Sequence, residues 1–266
     1  MMMKIYLYTD LVPENLKLDE VREYLIEKGF DAETRGDFFT YFNVKREEIA
    51  KGLARIRIRD MEREGVLNPE PSPKDVDAEL RIIKDKNPLM LERDLTNVYS
   101  GWGFVTLIRG FLKKDFHILF TSRMLATWSD RYHGRTVMVH PPLAVVSTTG
   151  IVEAPKKPTE YYARLLSYQF AQRMGHQVAD IAEYEEEIKD SLKDSFIDYD
   201  DRRLTEVAKG FVMQALVYFL TTDAFCEDPS CRLFDAHTQK DLLQSQLKGR
   251  EFCSRHRKIV VDFKKS

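Results

Sequence analysis

A chain of 266 residues with 43% apolar content is long enough for one large domain or two small ones and can fill a sizeable core. Its 41 basic and 43 acidic residues leave a formal net charge of -2, so no global field recruits nucleic acid or an anionic membrane. The longest apolar runs, such as Phe211 to Leu220, fall short of the roughly 20 residues that cross a bilayer, and the N-terminus has no signal-peptide layout; a cytoplasmic protein is expected.

In chain order, Lys4 to Thr9 alternates and is rich in Ile and Tyr, which predicts an opening strand. Leu18 to Lys28 carries apolar residues at helical spacing before Gly29, and a strand near Ala32 to Arg35 follows. Arg46 to Arg63 reads as one charged amphipathic helix, ended by the proline-rich stretch Asn68 to Pro73, with a shorter helix over Lys74 to Lys84. Asn97 to Lys113 stays open between strand and helix, because short apolar runs do not separate the two. Phe116 to Ser122, Arg135 to His140 and Leu143 to Thr148 are β-branched, apolar runs set off by Gly134 and Pro141-Pro142, and read as neighbouring strands. Pro158 suits the first turn of a helix running to about Met174, and an acidic helix covers about Val178 to Leu192. Arg202 to Thr222 has Leu204, Val207, Phe211, Ala215 and Phe219 at spacings of three and four, with too few polar residues for a surface helix. It predicts a buried central helix.

The chemistry concentrates at the C-terminal end. All three cysteines fall there, an odd, clustered set that points to metal rather than disulfides. Cys226 and Cys231 form one short pair, and Cys253 and His256 a second, so each pair can curl around one ion. Zinc accepts tetrahedral thiolate and imidazole ligands without a directional demand of its own. Four protein ligands leave no place for water, so the site is expected to hold one structural zinc ion rather than to activate a nucleophile. Arg232, Arg250, Arg255 and Arg257 are candidates to offset the excess negative charge of three thiolates.

These residues resemble the archaemetzincins, zinc metallopeptidases whose signature HExxHxxGxxHC leads, after four residues, into Cys-x-Met and later Cys-x-x-Cys. Here Cys226, Cys231-Arg232-Leu233 and Cys253-Ser254-Arg255-His256 stand in that pattern, with one Cys replaced by His. The run Leu143 to Ser147 is similar to the strands before that family's catalytic helix. The resemblance implies an α/β fold: a metzincin-like mixed sheet with packed helices, a buried central helix and a C-terminal zinc-bound helical module. Residues 1–266 would form one domain, with insertions near 60–95 and 175–202 and the structural zinc module at 226–256. It also places the catalytic signature on Ala215 to Cys226, where the three histidine positions hold Ala215, Phe219 and Phe225, the glutamate position Leu216 and the helix-ending glycine position Thr222. The family's chemistry needs two histidines on one helix face and a glutamate that takes a proton from zinc-bound water. The expectation is therefore a metallopeptidase homologue without catalytic residues, inactive, retaining structural zinc and binding a peptide or protein partner.

Two alternatives belong to other classes. An active metallohydrolase could place its ligands on His133, His140, His176, Glu183 or Asp200, although none of the histidines, His117 included, stands in a tight ligand pair. A zinc-stabilised interaction module could use the basic tail from Arg255 to Lys265 on phosphates, though nucleic acid is not the expected partner. Ser147, Thr148 and Thr149 lack a Gly-x-Ser-x-Gly elbow and read as strand-end residues.

Overall fold

The computed structural model describes residues 3–92, 97–176, 180–223, 225–249 and 251–263. In chain order the elements are β1 (Lys4–Asp10), α1 (Leu18–Glu27), β2 (Asp31–Asp37), α2 (Phe38–Tyr41), α3 (Arg46–Arg55), α4 (Pro73–Asp85) and α5 (Leu89–Glu92). There follow β3 (Val98–Ser100), α6 (Gly101–Arg109), β4 (Phe116–Thr121), β5 (Met124–Trp128), β6 (Tyr132–Arg135), β7 (Val137–His140) and β8 (Leu143–Ser147). The rest is helical: α7 (Thr148–Glu153), α8 (Thr159–Arg173), α9 (Ile181–Leu192), α10 (Leu204–Thr221), α11 (Gln239–Leu243), a π-helical turn over Gln244–Lys248, and α12 (Ser254–Phe263). Among the described residues, no helix is long and apolar enough to cross a membrane.

The main sheet runs β2-β1-β4-β8-β7, parallel except for the antiparallel edge strand β7. Helices cover both faces, so the central strands read as unbroken apolar runs rather than as alternations; all six residues of β4 are buried. Ile5, Leu7, Phe116, Ile118 and Val146 face α1 and α10 on one side. Tyr8, Leu119, Leu143 and Val145 face α3, α4 and α6 on the other. The predicted central helix is α10, in which Val207, Val212, Met213, Ala215 and Leu216 are fully covered.

Three regions depart from the sequence reading. The helix from Arg46 stops at Arg55 rather than Arg63, because Ile58 N–H donates to Val98 O at 2.9 Å and Ser100 N–H to Ile56 O at 2.8 Å. Pairing with β3 outbids helix propensity there. The open stretch after Asn97 resolves into β3 followed by α6, with Ser100 Oγ accepting from Gly103 N–H at 3.2 Å as the cap. A second, three-stranded sheet, β3-β5-β6, was not foreseen. The acidic helix begins at Ile181 within the described residues, and its expected start at Val178 lies outside them.

Arg123, between β4 and β5, ties the two sheets together. Fully buried, it donates from Nε to Asp10 Oδ2 at 2.9 Å and from Nη1 to Tyr99 OH at 2.9 Å and Glu79 Oε2 at 3.1 Å. Arg57 reaches the other oxygen of Glu79 at 2.7 Å. Two guanidinium groups thus face two carboxylates, which is the condition for burying charge at tolerable cost. Burial pushes the Asp10 carboxyl upward, and the Arg123 charge and the hydrogen bonds from Arg123 and Thr121 pull it back in part.

Candidate metal centre

The chain leaves α10 through Thr222, whose left-handed φ of 61° turns it off the helix. Cys226 then pairs with Phe234, its N–H donating to Leu233 O at 2.8 Å. Between them Cys231 N–H donates to Asp228 O at 3.0 Å, closing a tight loop that turns both thiols inward. The second pair arrives from the far side of the π-helical turn. Cys253 sits at the mouth of α12, where its carbonyl accepts from Arg257 N–H at 2.9 Å, and His256 follows on the first turn.

All four side chains are buried, and their ligand atoms lie within 4.8 Å of one another. The individual separations are 3.8 Å for Cys226 Sγ to Cys253 Sγ, 3.6 Å for Cys231 Sγ to His256 Nδ1 and 3.2 Å for Cys253 Sγ to the same nitrogen. A tetrahedral ion with Zn–S of about 2.3 Å and Zn–N of about 2.05 Å requires edges of about 3.8 Å between sulfurs and about 3.6 Å from sulfur to nitrogen. The 3.8 and 3.6 Å separations match those edges and the 3.2 Å one is tighter, while 3.8 Å is far too long for a disulfide, and all three cysteines are free thiols.

Electrostatics separate the thiols. Burial pushes the Cys226 thiol up to about 12 and raises Cys231 as well. Burial acts on Cys253 in the same sense, but the backbone N–H groups of His256 and Arg255 at the start of α12, with the two neighbouring thiols, bring it below the ordinary value. His256 is held toward its neutral form, chiefly by burial and then by the charge of Arg255. A neutral imidazole is the ligand form.

Two of the arginines expected around the thiolates are otherwise engaged, and Arg257 is exposed. Arg232 is bonded to Glu206 on α10 and to Gln246 O at 3.2 Å, and Arg255 is paired with Asp223. Arg250 lies outside the described residues, as do Lys264 and Lys265 of the basic tail. Backbone N–H groups approach the sulfurs instead: Asp228 on Cys226 Sγ and Cys253 on Cys231 Sγ, both at 3.4 Å.

On α10, Ala215 and Leu216 are fully buried within the core. Phe219 lies against Phe116 with ring centroids 4.6 Å apart, and Phe225 is nearly half exposed. The residues of the displaced-site alternative are scattered. His133 bonds Asp130 at 2.6 Å, His140 meets the ring of Trp102, and His176 is exposed. Among the described residues they form no group able to hold a metal with Glu183 or Asp200. Ser147 caps α7 through Gly150 N–H at 2.8 Å, and Thr149 donates to Ser122 O at 2.6 Å, so both serve the backbone. His117 was left without a role by sequence; it lies between Tyr6 and Tyr8.

An open α/β sheet thus packs on a buried helix, with a buried cysteine–histidine cluster beyond it. The sequence profile of the probable metallopeptidase family DUF6775 matches residues 1–263, and the chain belongs to that family. Among solved structures, the chain is similar to archaemetzincin from Methanopyrus kandleri, at 12% identity over 100% of this chain and 97% of that one, with a TM-score of 0.47. It is also similar to a zinc-dependent peptidase from Methanocorpusculum labreanum (strain Z), at 13% identity over 96% of this chain and 99% of that one, with a TM-score of 0.38. No curated protein matches it.

Proposed function

We propose that this chain is a zinc-stabilised member of its metallopeptidase family in which the hydrolytic metal site has been lost and the fold serves to bind a peptide or protein partner. Cys226, Cys231, Cys253 and His256 are the ligands of one structural zinc ion. When bound, the ion supplies a crosslink between the loop after α10 and the start of α12. Cys226 and Cys231 hold the first segment and Cys253 and His256 the second.

The observation that carries the loss of hydrolysis is the α10 surface. The positions where the archaemetzincin resemblance expects histidine and glutamate hold Ala215, Leu216, Phe219 and Phe225, and Phe219 packs against Phe116 with the rings tilted. None of these side chains can bind zinc or take a proton from water. Free cysteines also suit a reducing compartment, which supports a cytoplasmic location, and the reading treats 1–266 as one domain.

The test is zinc per chain by elemental analysis on extensively dialysed protein, beside Cys226→Ser and a general peptidase assay. About one zinc in the parent, almost none in the variant and no hydrolysis support the proposal. Two zinc ions with hydrolysis would restore an enzyme with a displaced site, and zinc-free parent protein would remove the structural ion.

A further inference from the structure

We propose that a cavity at the carboxyl ends of β1 and β2 binds a small zwitterion, a free α-amino acid with an apolar side chain. In an open α/β sheet, ligands enter where the chain order reverses, outside the carboxyl ends of the strands. Here the order reverses between β1 and β4, since α1 carries the chain from β1 to β2 on one side while β4 pairs with β1 on the other, and the end of β1 borders both that point and β2. A cavity of about 220 Å³ opens next to it, at the ends of β1 and β2. It is smaller than the pockets that take drug-sized ligands, and at about 30 Å³ per water it holds about seven waters, the scale of one amino acid.

The wall divides by chemistry. Asp10 and Asp37 supply carboxylates, Arg46 and Lys86 supply cations, and Phe39, Val44, Ile49 and Ile83 supply an apolar side. Asp10 is only 2% exposed; its Oδ2 is taken by Arg123 and Thr121, and among the described residues its Oδ1 has no hydrogen-bond donor. Asp37, which also lines the cavity, caps Thr40 N–H with Oδ1 at 2.8 Å, and no donor to its Oδ2 is found among the described residues. The two carboxylates also repel each other, for the charge of Asp37 contributes to raising Asp10. An ammonium between them would relieve that repulsion. Arg46, on the first turn of α3, and Lys86, at the end of α4, are both exposed and have no carboxylate partner among the described residues, so they suit the ligand's carboxylate. Arg123 already balances the charge of Asp10, so the cavity offers an ammonium the Asp37 carboxylate and the second oxygen of Asp10, and offers a carboxylate Arg46 and Lys86. A zwitterion satisfies both halves, whereas an amine or an acid alone leaves one pair unmatched.

The test is calorimetric titration of the full chain with L-leucine, 3-methylbutylamine and 4-methylpentanoate. Leucine should bind at least roughly tenfold more tightly than either analogue. Asp37→Asn, which keeps the cap on Thr40, should weaken leucine and leave 4-methylpentanoate unchanged. Arg46→Met, at an exposed position, should weaken leucine and leave 3-methylbutylamine unchanged. Unchanged circular dichroism confirms that both variants fold. No heat with leucine at millimolar concentration, equal binding of leucine and 4-methylpentanoate, or leucine binding indifferent to both substitutions would overturn the proposal.

Discussion

Replacing Arg123 by Met keeps the length of the side chain and removes a fully buried charge. Glu79 would still hold Arg57 and the Tyr99 hydroxyl, at 2.7 and 2.8 Å, but Asp10 would keep only the Thr121 hydroxyl at 3.0 Å. A carboxylate so placed takes up a proton rather than remain charged. The unfolded chain keeps Asp10 ionised above about pH 3.9, so holding it neutral costs about 1.4 kcal/mol per pH unit above that value. The loss is therefore at most about 4 kcal/mol at pH 7 and under about 2 kcal/mol at pH 5, since part of the burial cost is already present in the parent. The sign follows from a folded-state value raised above the unfolded one: for this acid, the variant loses stability as pH rises. Urea unfolding of parent and variant at both pH values measures the difference, and adding Asp10→Asn should recover most of it. A loss of the same size at pH 7 and pH 5, or no recovery in the double variant, would refute the idea that an uncompensated Asp10 is the cause.

Two further outcomes are expected. Thr222→Gly should raise stability by about 1 kcal/mol, because a left-handed φ of 61° strains a β-branched residue by about 1–2 kcal/mol while glycine returns part of that through the unfolded chain; thermal unfolding would show a Tm higher by about 2–4 °C. His117 accepts from Tyr8 OH at Nδ1 and donates from Nε2 to Lys114 O, both at 3.2 Å, and burial holds its pKa below the ordinary value of 6.5. Protons therefore favour the unfolded chain as pH falls below 6.5, and His117→Gln should flatten that part of the stability–pH curve, measured by denaturant titration between pH 7 and pH 5.

The zinc-type cluster was legible because its ligands come as two short pairs, and spacing within a pair is a local property. The central helix was legible for a similar reason, its apolar residues repeating at three and four from Leu204 to Phe219. The parallel strands β4 and β8 announced themselves as continuous apolar runs. What sequence missed depends on distant partners. The helix after Arg46 ends early because β3, more than forty residues on, offers the Ile56 and Ile58 backbone a ladder. The second sheet stayed hidden because β5 follows β4 after two residues, and one apolar run cannot show where a strand changes sheets.

Charged residues show the division most clearly. Arg123, Asp10 and Glu79 are ordinary surface types in the sequence, and only the fold brings them from three elements into one buried network. The same holds for the cavity beside Asp10, whose cations arrive from α3 and α4. By itself the sequence determined the long helices α1, α8 and α10, the central strands and the two short pairs Cys226/Cys231 and Cys253/His256, because short-range spacing encodes them. The tertiary structure alone decided which charges are buried, which sheet each strand joins and where a cavity opens, because those follow from contacts between segments far apart in the chain.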